Sequence, residues 1–361
     1  MKIAFFGKQG SFDYANIGGT NSLLRRLSEE LTGRYGHQVD FVLYGTETAE
    51  VNHARNFRSC YYSTYSDALS SLTSYDHVVL IYLPIWDIPL FRSLCRRYKE
   101  QITFHNVYPV WPESPIKRKL LYFCNQQIPT NGYNFAVSNR INEELSKKGL
   151  KCARLWPPVP ENYFKTLSDG PSHDAVNVTY IGRLDVDKGI LETLDLFDKL
   201  SKFPEITLQL YGTYWETDPV AIKIHDRLVK QDVFPYYPVD FKSYTTEVDE
   251  MVRNTLFNTD IFIQPYRKLS STIDTPLLIL EAMAALCAVV TKPYGNIPDI
   301  YGHSPCLING TNFVAEAAKL ILQSDDWLDA EKERLNYQNR QLKFDVSNVA
   351  NQFNKLILGD L

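Results

Sequence analysis

One stretch, Thr179-Tyr-Ile-Gly-Arg-Leu-Asp-Val-Asp-Lys-Gly-Ile190, decides how the rest of this sequence is interpreted. It begins as a β-type apolar run and, at Gly189, opens an amphipathic helix. The loop between the two elements carries two cations, Arg183 and Lys188. Backbone N–H groups at a helix N-terminus and the helix dipole attract anions, and a guanidinium with an ammonium strengthens that attraction. The pattern predicts a diphosphate site; the alternative is an ordinary βα turn with two solvated cations.

The bulk composition describes a soluble globular protein that is longer than one core usually supports. The chain has 361 residues, of which 44% are hydrophobic and 22% charged, so two domains are expected. The six cysteines are scattered and predict reduced thiols in a cytoplasmic protein. Residues 1–170 hold 20 Lys and Arg against 15 Asp and Glu, and the remainder holds 18 against 27. The basic first half could meet an acidic partner or an anionic bilayer, or its charge could be unselected surface scatter.

Apolar β-type runs alternate with helical stretches twice along the chain. The expected strands lie at 2–6, 36–44, 77–83, 101–105, 133–137 and 152–156, and then at 176–181, 206–211, 260–265, 288–292 and 306–308. Trp156-Pro-Pro-Val-Pro160 is the natural linker between the two series. Such alternation predicts α/β domains with doubly wound parallel sheets, in which ligands bind beyond the carboxyl ends of the strands.

Three other features at expected strand ends or helix starts could carry chemistry. His105 ends the fourth expected strand, where an imidazole facing the crevice could bind a hydroxyl or an oxyanion, although a lone histidine is more often structural. Glu281 lies about one turn inside an apolar helix, where a ribose diol could satisfy its carboxylate. Gly18 and Gly19 precede the first helix and allow a ligand to approach the backbone.

Together these motifs resemble the retaining glycosyltransferases of the GT-B fold, specifically family 4. The matching residues are Gly18-Gly19, Gly36-His37, His105, Gly182-Arg-Leu-x-x-x-Lys-Gly189, Pro276-Leu-x-x-Leu-Glu-Ala-Met-Ala284 and Ala288-Val-Val-Thr291. The resemblance implies two Rossmann-like doubly wound parallel-sheet domains that face each other across a cleft. Residues 1–160 would form the acceptor domain and 161–343 the nucleotide-sugar donor domain. A C-terminal helix within 344–361 would cross back to the first domain.

The resemblance also implies roles for residues of the second domain. Arg183 and Lys188 would hold the donor diphosphate and take the leaving-group charge that a metal ion takes in other glycosyltransferases. Glu281 would receive the ribose hydroxyls. The backbone at Leu277 and Leu278 would help to bind phosphate.

Further roles implied by the resemblance concern the donor sugar. Gly18 and Gly19 would approach the same diphosphate, and His105 would contact the sugar as part of the catalytic set. The family usually carries another glutamate upstream of its ribose-binding one, and Ile273 occupies that position here. Asp274 is the candidate that would receive the sugar hydroxyls instead.

The expected activity is retaining transfer of a hexosyl unit from a nucleotide-sugar, with UDP the expected nucleotide, to a glycan or lipid-linked acceptor in polysaccharide assembly. No obligatory metal is expected, and Asp185-Val-Asp187 is interpreted as a chance match to a metal-binding Asp-x-Asp pattern. The main alternative, motivated by Ile273, is a non-catalytic nucleotide-sugar-binding subunit or sensor. A GT-B-fold epimerase would need an acid/base pair, of which only His105 is seen. A Rossmann dehydrogenase is disfavoured because neither half has a Gly-x-Gly-x-x-Gly turn.

The expected partners are the sugar donor and the acceptor, and no nucleic acid. Basic residues of the first domain could also dock the protein on the inner face of a membrane: Arg92, Arg96, Arg97, Lys99 and Lys117-Arg-Lys119.

Overall fold

The computed structural model describes residues 1–9, 18–45, 50–54, 57–81, 87–110, 112, 114–126, 131–169, 175–239, 245–268 and 272–359. The chain divides into two compact units. Unit 1 comprises Met1–Pro158, Ile273–Thr275 and Phe344–Leu361, and unit 2 comprises Val159–Thr272 and Pro276–Lys343. Each unit contains one sheet whose strands are parallel, apart from one edge hairpin, so the predicted fold class is confirmed.

Unit 1 is built on an eight-stranded sheet within the described residues, in the order β3-β4-β2-β1-β5-β6-β7-β8. The strands are β1 (Lys2–Lys8), β2 (Gln38–Tyr44), β3 (Glu50–Ala54), β4 (Phe57–Tyr62), β5 (His77–Ile81), β6 (Thr103–Tyr108), β7 (Asn134–Ala136) and β8 (Cys152–Arg154). The helices of this part are α1 (Gly19–Tyr35), α2 (Tyr65–Ser71), α3 (Ile88–Tyr98), α4 (Pro115–Gln126) and α5 (Asn139–Ser146). The sequence predicted six of these strands and missed the antiparallel hairpin β3–β4 at the edge, because β3 has no apolar run.

The central strands of unit 1 are buried on both faces. In β1, five consecutive residues from Ile3 are buried, the pattern of a parallel strand covered by helices above and below. Strand order reverses between β1 and β5, so the loop that leads into α1 lies at a topological switch point.

In the described part of unit 2 there is a five-stranded parallel sheet in the order β11-β10-β9-β12-β13. Its elements are β9 (Val176–Arg183), α6 (Ile190–Leu200), β10 (Ile206–Thr213), α7 (Pro219–Lys230), β11 (Tyr236–Pro238), α8 (Thr246–Phe257), β12 (Ile261–Gln264), α9 (Leu277–Ala284), β13 (Ala288–Thr291), α10 (Ile297–Tyr301), α11 (Phe313–Ile321) and α12 (Leu328–Leu342). The expected strand at 306–308 forms only an isolated bridge between Leu307 and Thr291. The switch point of this sheet lies between β9 and β12, so the loops after these two strands flank the place where ligands usually bind.

The last helix, α13 (Val346–Leu358), packs within unit 1. The rings of Phe353 and Phe135 lie 4.9 Å apart, and Asn354 Oδ1 lies 2.7 Å from His37 Nε2. Helix α13 thus packs against α1, the turn after α1 and β7. None of the described helices combines the length and the apolarity needed to cross a membrane.

Candidate functional site

The loop after β9 forms a single turn of 3-10 helix, Val186–Lys188. The Asp185 carboxylate starts the turn by accepting the Asp187 N–H at 2.8 Å. Gly189 ends it with φ 82°, in the left-handed region that favours glycine. A Cβ atom at Gly189 would lie 2.2 Å from the carbonyl oxygen of Pro265. Glycine is therefore required here, because it lets the start of α6 approach the loop after β12.

Polar contacts fix the loops after β9, β12 and β13 to one another. The Arg267 N–H donates to the Asp187 carbonyl at 3.0 Å, and the Lys268 ammonium pairs with the Asp187 carboxylate at 2.8 Å. Glu192, in the first turn of α6, pairs with Lys292 at 3.2 Å and with Arg267 at 3.4 Å. The switch point of unit 2 is thus bordered by cations, several of which are balanced by carboxylates of the same loops.

Lys188 differs from these neighbours. Among the described residues no carboxylate lies within ion-pair distance of its ammonium, which sits 5.2 Å from the centre of the Tyr266 ring. Burial, followed by the positive charge of Arg183, lowers the pKa of Lys188 to about 7, and Asp185 opposes this shift. A partly desolvated ammonium beside a guanidinium would be stabilised by an incoming anion, which is the electrostatic property of a phosphate-binding loop.

Tyr266 connects the cationic loop to helix α9, and sequence reasoning missed it. The residue is buried, and burial together with Tyr180, Tyr294 and Glu281 raises the pKa of its hydroxyl, while Arg183 lowers it. The side chain therefore lies in the electrostatic range of both the expected phosphate ligand and the expected ribose ligand. The available signal was an aromatic residue placed immediately after a strand-end proline at a switch point.

Helix α9 begins directly after Pro276 and is apolar except for Glu281. Leu277 and Leu278 are its first two residues, whose N–H groups precede the repeating hydrogen bonds of the helix and can serve a ligand. Glu281 lies about one turn further and is only 4% exposed. The Glu281 carboxylate and the N–H groups of the first helical turn therefore lie on one short helix beside the switch point.

In unit 1, the glycine pair marks the start of α1. Gly18 is in an extended conformation and Gly19 is the first helical residue. A Cβ atom at Gly19 would lie 2.9 Å from two carbon atoms of the Ile273 side chain. Ile273 is buried, so it fills the space beside this glycine rather than presenting a side chain to solvent.

Asp274 is held by unit 1 through both its backbone and its side chain. Its N–H donates to the Pro109 carbonyl at 2.9 Å, and Arg140 of α5 binds both carboxylate oxygens. The neighbouring Thr275 hydroxyl donates to the Val137 carbonyl at 2.7 Å. Each carboxylate oxygen has a second lone pair, so the prediction that Asp274 binds sugar hydroxyls stays open, with Arg140 added as the residue that orients it.

The expectation that His105 ends its strand and faces the ligand-binding edge is wrong. Strand β6 continues to Tyr108, and His105 is 1% exposed. Its Nδ1 accepts the Tyr133 N–H at 3.0 Å, so its Nε2 carries the proton and donates to Nδ1 of His77 at 3.2 Å. His77 is the first residue of β5, so the imidazole points to the amino ends of the strands. Burial, His77 and Lys151 lower the pKa of His105 to about 3, as for a neutral core histidine.

The two carboxylates of the Asp-x-Asp match have structural partners. Asp185 caps the turn and lies 3.4 Å from Arg183, whereas Asp187 pairs with Lys268. Across the described part of the chain, no group of three His, Cys, Asp or Glu side chains is arranged to hold a metal ion.

Comparison with known proteins identifies the second unit. Residues 175–324 match the family model described as glycosyl transferases group 1. Most of unit 2 therefore resembles the group 1 glycosyltransferases in sequence. The matched range contains the cationic loop, Tyr266 and Glu281. No curated protein matches the sequence significantly.

Solved structures resemble the whole chain, not only the range that matches the family model. Sucrose-phosphate synthase from Thermosynechococcus elongatus aligns over 98% of both chains with 18% identity and a TM-score of 0.68. A trehalose-6-phosphate synthase covers 99% of both chains at 11% identity and TM-score 0.64. An α-glucosyltransferase in complex with UDP-glucose and DNA also covers 99% of both, at 15% identity and TM-score 0.60. At these identities the likeness is one of fold, and the GT-B prediction is confirmed at that level.

We expect Lys188 to be half-deprotonated near pH 7, and competitive acylation of the lysines across a pH series, read by peptide mass spectrometry, measures this. Arg183→Gln should raise the pKa of Lys188, because it removes the positive charge that disfavours the ammonium. Arg227→Gln, on the exposed face of α7, serves as the matched control and should leave the titration unchanged. Titration of Lys188 near pH 10, roughly as for a solvated lysine, would contradict the electrostatic account.

Proposed function

We propose that the protein is a retaining glycosyltransferase that transfers a hexosyl unit from a UDP-sugar to a glycan or lipid-linked acceptor in polysaccharide assembly. The observation that carries the proposal is the Lys188 ammonium, which lacks a carboxylate partner among the described residues and sits beside Arg183 at the switch point of a group 1 glycosyltransferase domain. Transfer from a nucleotide-sugar leaves a diphosphate, and two neighbouring cations, one of them partly desolvated, would stabilise that charge as it develops.

In this proposal different residues of unit 2 bind the diphosphate and the ribose of UDP. Arg183 and Lys188 neutralise the diphosphate, the N–H groups of Leu277 and Leu278 donate to phosphate oxygens, and Glu281 accepts the ribose hydroxyls. In this scheme the Asp185 carboxylate caps its own turn, the Asp187 carboxylate pairs with Lys268, and the cations replace a metal ion. Removal of divalent metal is accordingly expected to leave transfer intact.

The proposed reaction proceeds by front-face attack. The acceptor oxygen forms a bond to the anomeric carbon on the side from which UDP departs, the bond to the diphosphate breaks, and a donor phosphate oxygen takes the acceptor proton. This route needs no carboxylate nucleophile and no base at His105, which is buried and neutral. Support for retention comes from the structural relative trehalose-6-phosphate synthase, which is described as transferring with retention.

The donor sugar is assigned to residues of unit 1. Gly18 and Gly19 supply close backbone approach to the diphosphate, and Asp274, oriented by Arg140, receives sugar hydroxyls. UDP-glucose is the first donor to test, because the related α-glucosyltransferase was solved in complex with it.

Turnover assays with UDP- and GDP-hexoses, followed by release of the nucleotide, test the proposal. Lys188→Ala should lower kcat by about 100- to 1,000-fold, because the leaving diphosphate loses a positioned cation. Lys199→Ala, an exposed lysine on the same βα unit, is the control and should keep wild-type activity. Wild-type activity in Lys188→Ala would overturn the mechanism.

The second candidate is a non-catalytic nucleotide-sugar-binding subunit. Two observations favour it. Ile273 is buried where the family usually has a glutamate, and the Asp274 carboxylate is already paired with Arg140 before any sugar binds. Calorimetry separates the two functions: a subunit of this kind would bind UDP as tightly as any UDP-sugar and turn over none of them.

A further part of the proposal places unit 1 on the inner face of an anionic membrane through α4. Ile116, Leu120 and Phe123 lie on one face of this helix and are 79%, 47% and 60% exposed. Lys117 and Lys119, both exposed, fall on either side of that face. An apolar face bordered by ammonium groups is the pattern of a helix that lies in a lipid interface.

Co-sedimentation with vesicles of phosphatidylglycerol and phosphatidylcholine tests this surface. Binding should be seen at low salt, fall as salt rises, and be lost in the double variant Lys117→Glu, Lys119→Glu or in Phe123→Ser. Lys223→Glu with Lys230→Glu makes the same charge change on α7 of unit 2 and should retain binding. Equal binding by both double variants, or none by the wild type at low salt, would remove the membrane contact.

A further inference from the structure

Unit 2 carries an open groove on one face of its sheet, apart from the loop that contains Lys188. The groove has a volume of about 690 Å³, within the range of ligand sites in proteins, and is lined by β9, β10 and α8. Asn177, at its β9 end, lies at the amino end of that strand. Arg183 is six residues further along β9, or about 20 Å from Asn177 at the rise of a β-strand. Tyr211, at the other end of the groove, pairs with Ile181, so the groove runs along the strands towards the cationic loop, but its lining includes neither Arg183 nor Lys188.

The topology explains why this face is open. Buried and half-buried residues alternate along β10, and Gln209 and Tyr211 belong to the half-buried set on the α8 side. β10 is next to the edge strand β11, and α8 returns from that edge towards β12. The helix therefore borders this side of β10 without sealing it.

The polar side chains of the groove are planar and carry both donors and acceptors. They include the amides of Asn177, Gln209 and Asn254 and the carboxylates of Glu247 and Glu250. The Asn177 side-chain amide and the Gln209 Nε2 make no hydrogen bond to any other described residue. Amide and carboxylate groups of this kind bind vicinal hydroxyls in pairs, one oxygen or nitrogen to each hydroxyl.

An aromatic surface adjoins these groups. The rings of Tyr211 and Tyr237 are stacked at 4.6 Å with an interplanar angle of 19°, and Tyr237 is 42% exposed. The Tyr211 hydroxyl donates to Gln209 Oε1 at 3.3 Å, which fixes that amide. An exposed aromatic face attracts polarised C–H groups such as those on the flat side of a pyranose ring.

The charges of the lining residues exclude several ligand classes. Among the described residues the lining contains no Lys or Arg, so this part of the groove offers no cation to a phosphate, a nucleotide or a nucleic acid. Glu247 and Glu250 repel an acidic glycan, and of the lining residues that the structure describes only Met251 has a long apolar side chain, which argues against a lipid chain. The ligand class that fits these residues is therefore one with many neutral hydroxyl groups and some apolar C–H surface.

We propose that this groove is a separate carbohydrate-binding site that takes a neutral oligosaccharide. Such a site would hold a glycan on unit 2 at a distance from the transfer chemistry and raise the local concentration of acceptor chains. The binding itself does not depend on the proposed transferase activity and can be measured without it.

Saturation-transfer NMR and calorimetry on the full chain test the site, with malto-, cello- and laminari-hexaose as neutral probes and an oligogalacturonate as the acidic one. At least one neutral probe should bind, and Tyr211→Ala should weaken its binding by about 10-fold or more, as for loss of a stacked ring and its hydrogen bond. Asn254→Ala, an exposed change on α8 that leaves the sheet intact, should weaken it by a smaller factor.

Two controls separate this site from the nucleotide site. Lys188→Ala should leave hexaose binding unchanged, and saturating UDP should not displace the hexaose. The proposal is overturned if none of the neutral hexaoses binds, if the acidic probe binds in preference, or if both Tyr211→Ala and Asn254→Ala bind like the wild type.

Discussion

A positive charge kept partly out of water is the constraint around which unit 2 is arranged. Lys188 lies near Arg183 in a loop whose last residue, Gly189, packs closely against Pro265, directly after β12. Removing the ammonium from water and placing it beside a guanidinium makes its charged form costly, which is why its pKa is near 7. A bound diphosphate would offset that cost, so the loop is electrostatically prepared for an anion rather than for a neutral ligand.

In unit 1 the main constraint is the close packing at the start of α1. Ile273 occupies the space that a side chain at Gly19 would need, so the glycine and the isoleucine form one packed contact. A glutamate in place of Ile273 would bring a carboxylate into that buried contact. The neighbouring Asp274 instead carries its charge with Arg140 as a partner, which satisfies the requirement that a buried carboxylate be paired. The departure from the family pattern is therefore local and has a packing explanation.

The sequence was sufficient for features that depend on local pattern and insufficient for those that depend on register. Strands β1, β9 and β12, the turn at Gly189 and the buried Glu281 on α9 followed from apolar runs and spacing. The direction of the His105 ring could not be predicted from the sequence. It depends on how far β6 extends and on the contact with His77 of the neighbouring strand β5. The pairing of Asp274 with Arg140 is also long-range, so spacing along the chain could not reveal it. Tyr266 did carry a local signal, because it directly follows the strand-end Pro265, but its closeness to Glu281 depends on the fold.

The central claim is that the Lys188 loop binds the diphosphate of a nucleotide-sugar and becomes fully protonated when it does so. Calorimetry of UDP-glucose binding in buffers of different ionisation enthalpy measures this directly, because the diphosphate of UDP-glucose has no group that titrates near neutral pH. With a free pKa of about 7 and a raised bound pKa, binding at about pH 7.5 should take up roughly 0.7 proton, and affinity should fall as pH rises further. The uptake should vanish in Lys188→Met. Binding with equal heat in every buffer, or proton uptake that persists without Lys188, would contradict the account.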